Sequence, residues 1–333
     1  METRTLGTTG PAVSALGLGL MGMSDMYGGA DEAESIATIH AALDAGMTLL
    51  DTGDFYGMGH NEMLLRDALR GRNRENVVIS VKFGSLRDPE GGWSGVYDVR
   101  PAAIKNFLAY TLRRLGTDYV DIYRPSRLSP DVPIEDVIGT LSELVTAGHI
   151  RHIGLSEVGA DTLRRAHRVH PISDLQIEYS LISRSIEAEI LPTARELGVG
   201  VTAYGVLSRG LISGHWSAER TTGPTDFRTH LPRFTGENLD RNLALVDQLR
   251  AIADARDVTV AQIAIAWVLN RGTDIVPLVG ARRRDRLTEA LGAAAVTLTE
   301  ADLAAIEAAV PAGAAAGTRY AAAQLALLDS ERP

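Results

Sequence analysis

Asp51-Thr52-Gly53-Asp54-Phe55-Tyr56-Gly57 is the stretch from which the rest of the chain can be placed. It follows the short apolar run Met47-Thr48-Leu49-Leu50, whose length and composition predict a buried strand. A strand ending in Asp51, with Tyr56 shortly after it, sets a carboxylate and a phenol at one strand mouth. The next apolar run, Val77-Val78-Ile79-Ser80-Val81, ends in Lys82. If the two strands are parallel neighbours, Asp51, Tyr56 and Lys82 meet at one edge of the sheet. A free phenol has a pKa of about 10. A neighbouring ammonium favours the phenolate and is expected to lower that value, towards the range useful for general acid–base work. Asp51 would then hold the lysine. The same trio also suits a structural ion pair beside an unrelated surface tyrosine.

Strand and helix signals alternate on both sides of this stretch. Thr3 to Pro11 reads as a turn or small hairpin, with Gly7 and Gly10-Pro11 as its breakers. Gly17, Gly19 and Gly22 match G-x-G-x-x-G, but the next helical signal, Asp31-Glu32-Ala33-Glu34, begins well after the third glycine. A strand ending near the site, with Met21 just beyond it, is therefore expected there. A helix follows from Asp31 to Gly46, with Ile36, Ile39 and Leu43 at helical spacing. Strand 47–51 leads to helix 61–70, for which Asn61 is the expected cap, and then to strand 77–82. Residues 84–99 read as a long Gly-rich loop carrying Trp93 and Tyr97, of the kind that is usually functional or mobile. Pro101 opens a helix with Ile104, Leu108, Leu112 and Leu115 on one face, and Pro133 opens another with Ile134, Val137, Ile138, Leu141 and Leu144. Further strands are expected at 119–123, 151–156, 174–178, 199–204 and 275–279.

Alternation of this kind predicts a parallel sheet with helices outside it. Eight strand–helix units fit an α/β fold of the (β/α)8 TIM barrel type, with a short N-terminal hairpin and long loops at its C-terminal face. No charge run or Ser/Pro linker marks a boundary, so residues 1–333 are expected to form a single domain. Asp51, Lys82, Ser156, Gln176 and Tyr204 all fall at strand C-termini, the end where barrel active sites are built.

The composition narrows the function. With 45% hydrophobic residues a core is easily supplied, and no apolar run approaches membrane-spanning length. Met1-Glu2-Thr3-Arg4 does not open an export signal, so a cytoplasmic location is expected. No cysteine is present, which excludes disulfides, thiolate zinc sites and a cysteine nucleophile. A net charge of −9 argues against nucleic-acid partners, so an anionic ligand needs a local basic cluster. His149-x-x-His152 straddles a strand start, and His167-x-x-His170 ends at Pro171 without a third ligand, so no metal site is expected.

Asp51-Thr52-Gly53-Asp54-Phe55-Tyr56-Gly57, then Asn61-Glu62 and Val81-Lys82-Phe83-Gly84, resemble the aldo-keto reductases. The resemblance continues through Gly154-Leu155-Ser156, Gln176 and Tyr204 to Gly280-Ala281-Arg282, and so covers nearly the whole chain. It points to a short-loop bacterial-type branch related to the potassium-channel β-subunit-like members. It implies an NADP(H) cofactor and reduction of a small-molecule carbonyl. In the family a tyrosine in the place of Tyr204 stacks on the nicotinamide, and Ser156 and Gln176 match the residues that bind its carboxamide. Glu157 stands where many members carry Asn. The stretch Gly205-Val206-Leu207-Ser208-Arg209 resembles the wrap around the pyrophosphate. Gly280, Arg282, Arg286 and Glu289 resemble the adenosine end, with the two arginines suited to a 2′-phosphate. Met21 joins these cofactor candidates. Mixed aromatic and arginine content after Tyr204, from Trp216 to Phe234, reads as a lid or as an ordinary surface loop.

One family position departs. Alignment of Tyr119-Val120-Asp121-Ile122-Tyr123 and of Val132-Pro133-Ile134-Glu135-Asp136 sets Ser126 where the family's catalytic histidine stands. A serine hydroxyl can also donate a hydrogen bond, but its side chain is shorter. Arg124, two residues earlier in an extended strand, points to the same side and is expected to reach the pocket or a carboxylate inside the barrel such as Glu178. The expected function is NADPH-dependent reduction of small aldehydes or ketones, with Asp51, Tyr56, Lys82 and Ser126 as catalytic residues. A slow, redox-sensing cofactor-binding subunit and a carbon–carbon double-bond reductase are the alternatives.

Overall fold

The computed structural model describes residues 1–24, 26–220, 223 and 226–332. Along the chain come the hairpin β1 (Thr3–Thr5) and β2 (Ala12–Ser14), then β3 (Gly17–Gly19), α1 (Glu32–Asp44), β4 (Leu49–Gly53), α2 (His60–Ala68) and β5 (Val78–Phe83). A second hairpin, β6 (Ser85–Arg87) and β7 (Trp93–Tyr97), precedes α3 (Pro101–Leu115), β8 (Val120–Pro125), α4 (Ile134–Thr146) and β9 (Ile150–Ser156). Then follow α5 (Ala160–Val169), β10 (Asp174–Glu178), α6 (Ile190–Leu197), β11 (Gly200–Tyr204), α7 (Gly236–Asp254), α8 (Val260–Asn270), β12 (Ile275–Gly280), α9 (Arg284–Gly292) and α10 (Glu300–Ala309). Strands β3, β4, β5, β8, β9, β10, β11 and β12 pair in parallel, in sequence order, and β12 returns to β3 to close the barrel. The expected (β/α)8 barrel is the fold.

Local chemistry explains the punctuation. Asp31 accepts the Glu34 amide at 2.7 Å and starts α1, while Pro101 begins α3 without wasting a donor. Gly116 ends α3 at φ 66°, a left-handed turn that favours glycine. Thr259 and Gln262 form a reciprocal capping box on α8. The barrel's lower end is shut by the first hairpin. Leu6 and Val13 pack there on Leu49, Ile122 and Val276, and buried Arg4 donates to the carbonyls of Ile275 and Gly272 at 2.5 and 2.9 Å. Inside the barrel, Arg124 pairs with Asp174 at 2.6 Å, both fully buried. Arg124 thus meets a carboxylate as expected, but on β10 at Asp174 rather than at Glu178.

Two local expectations need correcting. Residues 84–99 are not an irregular loop: most of them form the β6–β7 hairpin, whose strands pair at Ser85–Tyr97 and Arg87–Trp93. Asn61 does not cap α2, because Gly59 precedes that helix and Asn61 lies inside it. Its buried amide donates instead to the Leu20 carbonyl (2.9 Å) and Ser24 Oγ (2.7 Å), and accepts from Thr52 Oγ1 (2.6 Å), tying the mouths of β3 and β4 together. Among the described residues no helix is long and apolar enough to cross a membrane.

Candidate active site

Parallel pairing of β4 with β5 matches Gly53 to Lys82 and brings Asp51 beside it. The Lys82 ammonium donates to Asp51 Oδ1 and, at 2.9 Å, to Gln176 Oε1. The other oxygen of Asp51 accepts from Ser80 Oγ (2.9 Å) and Gln176 Nε2 (2.8 Å). Asp51, Lys82 and Gln176 are all buried, so this carboxylate is fully hydrogen-bonded out of water. Ser80 also accepts from Arg124 Nη2 at 2.6 Å and so links the site to the ion pair inside the barrel. Tyr56 sits in a tight turn where Gly57 and Met58 both have positive φ. Its ring lies 5.3 Å from the Lys82 nitrogen, with Phe55 edge-on at 4.8 Å.

The phenol does not titrate in the expected direction. Burial, and after it the Asp51 carboxylate, push Tyr56 well above its ordinary value. Burial also brings Lys82 down to about 8, against the pull of Asp51. The reason is that Asp51 already neutralises the lysine, and desolvation then outweighs whatever that cation offers a phenolate.

One cavity of about 560 Å³ gathers these groups, a size typical of small-molecule sites. At its strand-mouth end lie Asp51, Tyr56, Lys82, Ser126, Ser156, Gln176 and Tyr204, with Met21 from beyond β3. Gly205, Val206, Leu207 and Arg209 follow along the wall, and Gly280, Arg282, Arg283, Arg286 and Glu289 line the far end. Two expected residues are not part of this lining. Ser208 is fully buried behind the wall, at φ 45°. Glu157, at φ 55°, turns its carboxylate to Arg319 (2.5 Å) and Ser330 (2.6 Å), and accepts from the Tyr204 hydroxyl (2.7 Å). Burial works the other way, but Arg319 brings that carboxyl down to about 2.

At the far end both expected arginines are engaged. Arg282 donates to the carbonyls of Tyr27, Gly28 and Gly29, which straps that loop across the cavity. Arg286 meets Glu289 at 3.2 Å and His215 at 2.5 Å, while His215 itself lies 2.8 Å from Glu289. Of the expected lid, Phe227 and Arg228 reach the cavity. Trp216 and Phe234 pack on each other edge-on at 4.8 Å, and Arg233 is buried against the Ile182 carbonyl (2.7 Å).

Sequence reasoning missed the C-terminal segment. Arg319 bridges Glu157 and Glu178, Tyr320 stands 3.0 Å from the Tyr204 hydroxyl, and Gln324 also lines the cavity. The signal was there in principle: Arg319-Tyr320 is an isolated basic and aromatic pair in an Ala/Gly-rich tail. His215 lies 71 residues before its partner Arg286 and 74 before Glu289, so no local pattern marks it. Among the described residues no group of three or more His, Asp or Glu is placed to hold a metal ion.

A model of the aldo/keto reductase family matches residues 15–311. The chain is 41% identical over 318 residues to probable aldo-keto reductase 1 of Glycine max, covering 95% of this chain and 90% of that protein. Among solved structures it is similar to the glycerol dehydrogenase AKR11B4 from Gluconobacter oxydans, with a TM-score of 0.83 and 29% identity over 92% of this chain and 94% of that one. The holo form of aldo-keto reductase AKR11C1 from Bacillus halodurans gives a TM-score of 0.77 and 29% identity, over 94% of this chain and 97% of that one.

Proposed function

Since the chain belongs to the aldo/keto reductase family, and so to the oxidoreductases of carbonyl groups, we propose that it reduces small aldehydes and ketones with NADPH, Tyr56 giving the proton. The observation that carries this reading is the convergence in one cavity of Tyr56, the Lys82–Asp51 pair and Tyr204, with Arg283 and Arg286 at the other end. An elongated dinucleotide suits that lining: an aromatic ring and buried polar groups at one end, exposed guanidinium groups at the other. NADPH, when bound, supplies a hydride to the carbonyl carbon.

The protein's own groups do the rest. Because burial and Asp51 raise its pKa, Tyr56 stays protonated through neutral pH and is always ready to donate. Lys82, charged below about 8, stands over the ring and stabilises the negative charge that grows on the phenol oxygen as the proton leaves. Asp51, held by Ser80 and Gln176, keeps the lysine in place. The Ser126 hydroxyl is buried with no hydrogen-bond partner among the described residues, and it donates to the carbonyl oxygen. Tyr204, fixed through its hydroxyl by Glu157, offers its ring to the nicotinamide. Arg286, whose side chain is 46% exposed, would pair with a 2′-phosphate, which favours NADPH over NADH.

Steady-state oxidation of NADPH and of NADH over a panel of aldehydes tests the reading. Turnover on several aldehydes is expected, with NADPH preferred by roughly tenfold or more, as for one charge-assisted contact. Ser126 in place of the family's histidine keeps two other readings in play. A single slow turnover without steady state would support a redox-sensing subunit, and reduction of enones alone would support a double-bond reductase.

A further inference from the structure

The strand-mouth end of the cavity carries a cation that the proposed reaction does not use. Arg127 follows Ser126 directly, and both line the cavity beside Tyr56 and Lys82. The backbone places them there: the Ser126 amide donates to the Phe83 carbonyl at 2.8 Å, one step beyond the point where β5 and β8 match Lys82 to Arg124. The neighbouring cations are matched to carboxylates. Lys82 pairs with Asp51, Arg209 with Glu178, Arg319 with Glu157 and Arg228 with Asp226. Arg127 forms no such pair among the described residues. Its guanidinium donates to the Ser126 carbonyl (2.6 Å), in a cavity also lined by Tyr97, Tyr204 and Tyr320. Burial opposes its charge, but Tyr204, Tyr320, Glu157 and Tyr97 hold it charged. The same charge acts on both Tyr56 and Lys82, so it stands close to where a carbonyl must sit. Next to it the Ser126 hydroxyl is 3% exposed and lacks a partner.

A half-buried guanidinium that stays charged yet has no carboxylate salt-bridged to it among the described residues, lining the same cavity as an unsatisfied hydroxyl, is well suited to an anion. We propose that Arg127 binds a carboxylate carried next to the reacting carbonyl, so that the preferred substrates are 2-oxo acids. This rests on the reductase reading above and names its substrate class. Ser126 donates to the keto oxygen while the guanidinium takes the adjoining carboxylate, which matches their adjacency in the chain. Hydride from NADPH adds to C2, the C2–O π pair takes the proton from Tyr56, and the products are a 2-hydroxy acid and NADP⁺. Arg127 touches the substrate without exchanging a proton, so it sets specificity.

Phenylglyoxylate and its methyl ester present the same aryl ketone with and without the negative charge. With the full-length protein and NADPH, kcat/KM for the acid should exceed that for the ester by about tenfold or more. In Arg127→Gln the acid-to-ester ratio should fall roughly 10- to 100-fold, the range for losing one charge-assisted hydrogen bond. Arg127→Lys, which keeps the charge, should fall less. NADPH fluorescence checks that each variant still binds cofactor, and the wild-type ratio tests the idea even where a variant does not fold. Equal or better use of the ester by the wild type, or an unchanged ratio in Arg127→Gln, would overturn the assignment and leave the reductase reading intact. Reduction of neither these ketones nor the aldehyde panel, with NADPH bound, would overturn both.

Discussion

The two ends of the cavity are built on different principles. At the strand mouth the charges are buried and interlocked: Asp51 alone is held by Lys82, Ser80 and Gln176, each from a barrel strand. At the far end the side chains of Arg283, Arg286 and His215 are 68%, 46% and 37% exposed, and they share the carboxylates of Asp285 and Glu289. A buried network fixes geometry and titration, and removing one member strands the others. Exposed pairs are weak, screened by salt and exchangeable, which suits the proposal that these groups let go of each other to take a phosphate. On the proposed reading the first end sets the reaction and the second holds the cofactor.

That contrast breaks most easily at Lys82. Lys82→Met should lower the rate of carbonyl reduction by on the order of a hundredfold or more, the range for losing a general acid–base component, with little change in NADPH affinity. The wild-type rate should fall as pH rises through about 8, where the ammonium is lost, and that limb should be missing from the variant. Steady-state pH profiles decide it. A variant that mainly loses cofactor affinity would mean the two ends are not separate in function.

A smaller but still large effect is expected at Arg319. Arg319→Ala leaves Glu157 and Glu178 buried without their shared partner, which costs about 3 kcal/mol or more by analogy with other broken buried pairs. The acid dependence follows. With its folded pKa at about 2, against an ordinary value of about 4.3, Glu157 stabilises the fold at neutral pH. That contribution is lost as pH falls through this window. In Arg319→Ala the loss on acidification should shrink, because the folded pKa is no longer held down. Urea denaturation at pH 7 and at a pH of about 2, the bottom of that window, measures both. If stability is unchanged, the tail is only resting on the barrel.

The smallest effect belongs to the exposed end. Arg286→Ala should weaken NADPH binding by roughly tenfold, leave NADH nearly as it was, and lose part of the salt dependence seen in the wild type. Fluorescence titrations at low and high ionic strength read this out. Equal losses for the two cofactors would remove Arg286 from the 2′-phosphate site.

The same contrast explains what could be read from the chain before its structure. Asp51, Lys82, Ser126, Ser156, Gln176 and Tyr204 were legible because strand ends in a parallel barrel converge whatever else the sequence does. Residues 47–51 and 77–82 need only be apolar runs ending in polar groups to place the site's centre. The titration of Tyr56 was not legible. Spacing brings a cation near, but the direction depends on burial and on Asp51 taking that cation first. Glu157 was misplaced for a related reason. A position along a strand does not say that a tail more than a hundred residues later will bring Arg319 to claim the carboxylate. Arg319 and Tyr320 lie in a segment with no periodicity, and long-range ion pairs leave no local pattern. The hairpin at 85–97 was hidden by its glycines, which serve turns and loops alike.

The central claim is that Tyr56 is the proton donor in a reaction run at the buried end of this cavity. Single-turnover oxidation of bound NADPH by an aldehyde, in the wild type and in Tyr56→Phe, tests it most directly. Stopped-flow absorbance would follow the nicotinamide, and fluorescence would confirm equal saturation. The account predicts that Tyr56→Phe binds NADPH as tightly as the wild type and transfers hydride at least about a hundredfold more slowly at every pH. Transfer within a few-fold of the wild-type rate would contradict it, and would mean that another group delivers the proton.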